Sequence, residues 1–310
     1  VSGRAKAALQ EGWVVSAHGR HYGVELADGS VRQSYPRGKK AQAAVGDRVR
    51  ISLQGDNEGA IEAVLPRRNL LFRSDQQRSK QFAANLDTLL LVVATEPEFS
   101  ADLLGRSLVA AASAGVPATI LLNKVDRPAR LAAARERLAR YPEIGVPVLE
   151  LSALDAEAAR ARLAPVLAGR ISLLLGQSGM GKSTLLNALV PEAGAATREH
   201  SEALGTGRHT TTSTRLYHLP EALTRPGAPG HLIDSPGFQG FGLAHLSRED
   251  VERGFPEFAP FAAQCRFYNC THRHEPGCAV LAALETGRID TERHALYMRI
   301  LAENEAAERY

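Results

Sequence analysis

The sequence predicts a multidomain chain: a small N-terminal β-barrel, a central, mainly parallel α/β domain, and a C-terminal, mostly helical module that holds metal. Three observations predict it. Five short strand patterns crowd the first 70 residues, apolar strands alternate with helical stretches from residue 86, and strand patterns stop after about residue 245. A length of 310 residues suits two or three domains. With 44% hydrophobic and 23% charged residues the composition is that of a globular protein, and no apolar run approaches the roughly 20 residues a membrane helix needs. VSGRAKAALQ lacks the apolar core of a secretory leader, so the expectation is a cytoplasmic protein without membrane contact.

In the barrel region the strands are GWVVSA, YGVEL, SVRQSY, DRVRISL and GAIEAVL, with Asp28-Gly29 placed for a tight hairpin turn. Five strands fit an oligonucleotide-binding (OB) barrel or another small SH3-like barrel equally well. Charge favours a nucleic-acid partner: residues 1–70 hold eleven Lys and Arg against seven Asp and Glu, within a net charge of +3 overall. Arg20, Arg37, Lys39, Lys40, Arg67 and Arg68 are the candidate RNA contacts, on a face that could equally be solvated. The expected unit is an OB-type RNA-binding barrel over residues 1–70.

Next, over residues 71–245, LDTLLLVVAT, PATILLNKVD, PVLELSAL, ISLLLGQSG, TRLYHL and HLIDSPG read as strands. Several are continuously apolar, as in a sheet covered on both faces. ADLLGRSLVAAASAG, Pro128 to Tyr141 and LDAEAARARLAPVLAG supply crossover helices. Residues 246–310 read as a helical module, where Leu296 with Ile300 and Tyr297 with Leu301 have the spacing of a packed helix face.

The chemistry begins at GQSGMGKST. Gly176, Gly181, Lys182 and Ser183 satisfy GxxxxGK[ST] between an apolar strand and a helical stretch, the setting of a phosphate-binding loop. Glycines let the chain bend closely around phosphate oxygens, and N–H groups at a helix start supply donors. Gln177, Ser178, Gly179 and Met180 form the bend and Thr184 follows it. Lys182 would reach the β- and γ-phosphates and Ser183 would ligate Mg²⁺. Farther on, DSPG offers Asp234 to the Mg²⁺ hydration shell and the Gly237 N–H to the γ-phosphate. Between them, GTGRHTTTSTR contains the threonine switch, with Thr210 or Thr211 as the Mg²⁺ ligand. Without the other motifs it would read as a polar loop entering a β-branched strand.

NKVD and LSAL follow consecutive strands. Asp126 would accept hydrogen bonds from guanine N1–H and the exocyclic amine, Asn123 would hold the base and the neighbouring loop, and Lys124 would pack along the nucleotide. Ser152 and the Ala153 N–H form the companion loop, although Ser152 could instead be a helix N-cap. The order is therefore base loops, phosphate loop, threonine switch and DSPG, which cutting a nucleotide-binding sheet after its second switch and joining the old ends would generate.

These permuted motifs resemble the circularly permuted GTPases, specifically the small-subunit-dependent ribosomal GTPases of the RsgA/YjeQ family, over nearly the whole chain. The resemblance implies a circularly permuted P-loop α/β GTPase domain and one GTP or GDP with Mg²⁺. It further implies a partner in the small ribosomal subunit and its rRNA, and a role in late maturation of that subunit. All three cysteines lie between Cys265 and Cys278, which points to metal. Cys265, Cys270, Cys278 and either His272 or His274 could close a tetrahedral structural zinc site; the family pattern favours His272. Phe238 stands where many such enzymes place a water-orienting glutamine, so slow intrinsic turnover is expected. The resemblance makes His209 the candidate for positioning water, with Gln239 a weaker substitute and a solvent-facing loop histidine the plain alternative. The expected function is a monomeric GTP hydrolase whose turnover, stimulated by the small subunit, times its release. A nucleotide-gated rRNA-binding scaffold and an ATP-dependent P-loop enzyme are the rival readings.

Overall fold

The computed structural model describes residues 9–38, 42–55, 57–74, 79–193, 213–237 and 240–308. Its first five strands are β1 (Leu9–His18), β2 (His21–Leu26), β3 (Val31–Pro36), β4 (Arg48–Gln54) and β5 (Glu58–Val64). They pair in the cyclic order β1-β2-β3-β5-β4-β1, with β3 and β5 parallel and the other pairs antiparallel. A closed five-stranded barrel has no free edge, and this Greek-key crossing decides for the OB type. β1 closes the barrel by pairing with β4 over Leu9–Trp13 and with β2 over Gly12–His18, bulged against β2 between Val14 and Ser16. At Gly12 a Cβ would meet Val24 at 2.4 Å, so only glycine permits that approach. Asp28-Gly29 turns as its residue types require: Gly29 has φ +80° and the Asp28 carboxylate accepts the Ser30 N–H at 2.9 Å.

A hairpin that sequence reading missed follows, β6 (Leu70–Ser74) with β7 (Ser79–Ala84). It packs on the segment after the second switch motif. Ser74 exchanges backbone hydrogen bonds with Gly242 and Ala244, Arg73 donates to the Gly240 carbonyl, and Phe82 stacks on Phe241.

The core holds β8 (Thr88–Ala94), β9 (Ala118–Asn123), β10 (Val148–Glu150), β11 (Ile171–Gly176), β12 (Thr214–His218) and β13 (His231–Asp234) in the order β10-β9-β8-β11-β13-β12. All these pairs are parallel except β12–β13. Every residue of β8 is buried, which explains its uninterrupted apolar run TLLLVVA. The crossover helices are α1 (Ala101–Ser113), α2 (Leu131–Leu138) and α3 (Ala156–Leu167), and α4 (Lys182–Leu189) follows the phosphate loop. β12 also pairs with β1 through Ser16 and Ala17, so barrel and core share one sheet of 11 strands.

The C-terminal region contributes α5 (Arg248–Arg253), α6 (Ala259–Ala262), α7 (Ala279–Glu285) and α8 (Thr291–Glu308). Ser247 and Asp250 form a reciprocal capping box that starts α5. Leu296, Tyr297, Ile300 and Leu301 are all buried, as their spacing required. α8 is tied back to α1 by charge. The Arg106 guanidinium, 8% exposed, meets Asp102 at 2.7 Å and takes Glu303 with two bonds of 2.7 Å, while Arg299 reaches Asp102 at 2.8 Å.

Candidate functional site

The permuted motifs converge at the carboxyl ends of β9, β10, β11 and β13. Asn123 ends β9 and is 1% exposed. Its Nδ2 donates to the Met180 carbonyl at 2.9 Å, and its Oδ1 accepts the Ala153 N–H at 2.9 Å. One amide thus ties the phosphate loop to both base loops. Lys124, in the left-handed region at φ 62°, sends Nζ to the carbonyls of Gly179 at 2.7 Å and Glu96 at 2.8 Å. Its stem lies across the loop. Asp126 is exposed and its carboxylate can be met from solvent.

The phosphate loop has the geometry its glycines imply. Gly179 and Gly181 have φ of +84° and +89°, and a Cβ on Gly181 would meet Asn123 Nδ2 at 2.3 Å. At Gly176 a Cβ would meet the Val92 carbonyl at 2.5 Å. Met180 is buried, so its share in the site is its backbone, whereas Ser178, Ser183 and Thr184 are exposed at the loop and the start of α4. Lys182 is 7% exposed, with Nζ 3.8 Å from the buried Asp234 carboxylate. Gly237 lies against the loop: a Cβ there would be 3.5 Å from the Ser178 nitrogen. Gln177 faces the opposite way, its Oε1 accepting the Ser100 N–H at 2.7 Å, and Ser100 is the N-cap of α1. A glycine backbone bent through the left-handed region, a cation beside an acid, and an exposed hydroxyl at a helix start fit a nucleoside triphosphate with Mg²⁺.

Two details differ from expectation. The Ala153 N–H is spent on Asn123 Oδ1, so Ala153 locks the base loop instead of presenting that donor to the base. Ser152 is not the helix cap; Asp155 caps α3 by accepting the Ala158 N–H, and Ser152 Oγ accepts the Leu154 N–H at 3.3 Å. His209, Thr210, Thr211, Phe238, Gln239, Lys39 and Lys40 lie outside the described residues. Of the basic candidates on the barrel, Arg20 is exposed. Arg37 pairs with Glu62 at 2.6 Å, Arg67 with the fully buried Asp47 at 2.7 Å, and Arg68 with Asp87 at 2.7 Å. All three are paired within the chain, with the Arg37 and Arg68 side chains still more than half exposed.

Cys265, Cys270, His272 and Cys278 place one ligand atom each within 4.8 Å of one another. Cys265 Sγ lies 3.9 Å from Cys278 Sγ, and His272 Nδ1 lies 3.6 Å and 3.5 Å from those sulfurs. A zinc tetrahedron with bonds near 2.3 Å to sulfur and 2.05 Å to nitrogen has edges of about 3.8 Å and 3.5 Å, so the set fits zinc. His274 is exposed and outside the cluster. His272 reaches this place in the left-handed region at φ 59°. Its Nε2 faces Glu252 at 3.5 Å, so that nitrogen turns to the carboxylate and Nδ1 is left to face the sulfurs. Although burial acts oppositely, the Leu281 N–H at the start of α7 helps hold the Cys278 thiol below its ordinary value.

Glu275 is a site residue that sequence reading passed over. Its carboxylate accepts the Thr271 N–H at 2.7 Å, the Arg273 N–H at 3.1 Å, the His274 N–H at 3.2 Å and the Thr271 hydroxyl. Burial works against the charge, but these bonds hold the carboxyl well below its usual range. The signal available beforehand was only an acid inside a ligand loop.

A family model for the RsgA GTPase matches residues 64–244. The small ribosomal subunit biogenesis GTPase RsgA of Bordetella pertussis strain Tohama I is 69% identical over 300 residues, covering 97% of this chain and 98% of that protein. That of Burkholderia pseudomallei strain K96243 is 59% identical over 295 residues, covering 94% and 92%. Among solved structures, YjeQ from Thermotoga maritima superposes with a TM-score of 0.70 at 30% identity, covering 96% of this chain and 99% of that one. The circularly permuted GTPase YloQ gives 0.66 at 26% identity, covering 99% and 98%.

Proposed function

The chain belongs to the RsgA GTPase family, and from that membership together with the assembled loops we propose that it is a GTP hydrolase acting in biogenesis of the small ribosomal subunit. The observation that carries this reading is the position of Asn123, bonded at once to Met180 and Ala153. The division proposed is a barrel over 1–70, a GTPase domain over 71–245 and a zinc module over 246–310.

In the proposed cycle Asp126 selects guanine, and Lys124 and Asn123 hold the base loops on the phosphate loop. N–H groups from Gln177 to Lys182 surround the β-phosphate, and Lys182, beside Asp234, reaches the β- and γ-oxygens. Ser183 and Thr211, with Asp234 reaching through water, would hold Mg²⁺, which would supply positive charge to the β- and γ-oxygens during transfer. Thr210 or Thr211 and the Gly237 N–H sense the γ-phosphate. A water oriented by His209 attacks the γ-phosphorus as the bond to the β–γ bridging oxygen breaks, giving GDP and phosphate. A zinc ion held by Cys265, Cys270, His272 and Cys278 would be structural, because four protein ligands would leave no open position.

Two paths support transmission. Gly237 runs into residues 240–245, clamped by the β6–β7 hairpin. Gln177 is bonded to the first turn of α1, which carries Asp102 and Arg106 to α8. Loss of the γ-phosphate would therefore be felt at both the β6–β7 hairpin and the zinc module. The test is release from small subunits: the chain should leave after hydrolysing GTP and stay with a non-hydrolysable analogue. Equal release with both would refute the timing role and favour a scaffold.

A further inference from the structure

We propose that Phe267 and Tyr268, in the loop between the first two zinc ligands, form a stacking tip for an unpaired RNA base. Tyr268 is 103% exposed and Phe267 41% exposed, so neither ring contributes to the core in proportion to its size. A solvent-facing aromatic pair usually sits on a mobile loop, where ordering it on binding is costly. This loop is held. The Cys270 N–H donates to the Phe267 carbonyl at 3.2 Å, the Arg266 N–H to the Gly277 carbonyl at 3.1 Å, and Arg248 Nη1 to the Asn269 carbonyl at 3.3 Å. Gly277, at φ +76°, lies so close that a Cβ there would be 3.1 Å from the Arg266 Cβ. Cys265 and Cys270 bound the loop at both ends within the ligand cluster. The rings are thus presented on a backbone fixed in advance.

Charge selects the occupant. The Arg266 guanidinium stands 5.5 Å from the Phe267 ring centre and pairs with no carboxylate among the described residues. Nearby Glu275 is turned inward onto backbone N–H groups, and Glu252 faces His272. Two adjacent rings beside an unpaired guanidinium match a base and its phosphate, since stacking tolerates any base and arginine meets the backbone. With Tyr268 fully exposed, an apolar protein partner would have to supply a pocket for the ring.

The inference rests on the ribosomal reading only for where the RNA is found, so the first test omits the ribosome. Binding of the full chain to a fluorescent, unstructured oligoribonucleotide is measured for wild type, Tyr268→Ala and Tyr268→Phe, each with zinc content and unfolding midpoint checked. Tyr268→Ala should weaken binding by roughly fivefold or more, Tyr268→Phe by less than about twofold, with intrinsic GTP turnover unchanged. Arg266→Ala should also weaken binding and flatten its salt dependence. Equal affinity of Tyr268→Ala and wild type overturns the proposal, as does an equal loss in the Phe variant, which would mean the hydroxyl and not the ring is read. If oligoribonucleotide binding is unchanged while small-subunit binding falls in Tyr268→Ala, the tip meets protein and the proposal is wrong. If Tyr268 matters for the oligoribonucleotide but wild type does not bind small subunits, the tip stands and the ribosomal reading fails.

Discussion

Removing Asn123 separates the loops that the chain's order already places far apart. In Asn123→Ala the Met180 carbonyl and the Ala153 N–H lose their partners at a position only 1% exposed. Each buried group left unpaired costs about 1–3 kcal/mol. Water could enter the space that the deleted amide leaves beside Gly181, so the lower half of that range applies and the sum is ~2–4 kcal/mol. That loss would appear in urea unfolding of the nucleotide-free chain. The nucleotide needs both loops in register, so GDP affinity should also fall by ~10- to 100-fold, or ~1.4–2.8 kcal/mol. Asn123→Asp sharpens the test, because it keeps the acceptor for Ala153 and sets a carboxylate oxygen against the Met180 carbonyl. It should bind GDP no better than the alanine variant. Unfolding within ~0.5 kcal/mol of wild type, together with unchanged GDP affinity, would refute the reasoning.

Further outcomes follow from single side chains. Asp126→Ala should lose guanine preference, measured as GDP against ADP competition, while retaining the fold, because its carboxylate is exposed. Glu275→Gln replaces an ion accepting four hydrogen bonds and should lower the unfolding midpoint of the zinc module and its resistance to chelators, with GDP binding in the core unchanged. Zinc removal by a chelator should open residues 246–308 to proteases ahead of the core, because ligation supplies folding energy to a small module. Where barrel meets core, burial, then His218 and Arg48, depress the His231 pKa to about 4, against the opposing pull of Glu25. The unfolded chain then binds the extra proton between about pH 6.5 and 4, so His231 makes stability fall as pH drops through that window. His231→Gln should show a shallower fall in unfolding midpoint from pH 7 to pH 5, read by calorimetry.

Much of the site could be read beforehand because each loop carries its own local signature. NKVD, LSAL, GQSGMGKST and DSPG each end an apolar strand, and parallel strands deliver such ends to one edge wherever the chain is cut. The thiol cluster was legible for the same reason, being confined to one short window. What escaped was non-local. LLFRSDQQRSKQFAA interrupts its apolar positions with charges, so the β6–β7 hairpin has no alternation to betray it and is defined instead by Phe241, Gly242 and Ala244. The pairing of Ser16 and Ala17 with β12, the bond from Ser100 to Gln177, and the capture of the Ala153 N–H each join residues that no periodicity relates. Strand count could not choose the barrel type, because that depends on β3 running parallel to β5.

If the displaced loops rebuild one guanine-specific hydrolytic site that answers to the small ribosomal subunit, turnover of GTP against ATP, with and without purified small subunits, must show it. Slow turnover of GTP alone, strong acceleration by the subunit and little ATP hydrolysis in either condition are the predicted result. Comparable turnover of ATP, or GTP hydrolysis indifferent to the subunit, would contradict it.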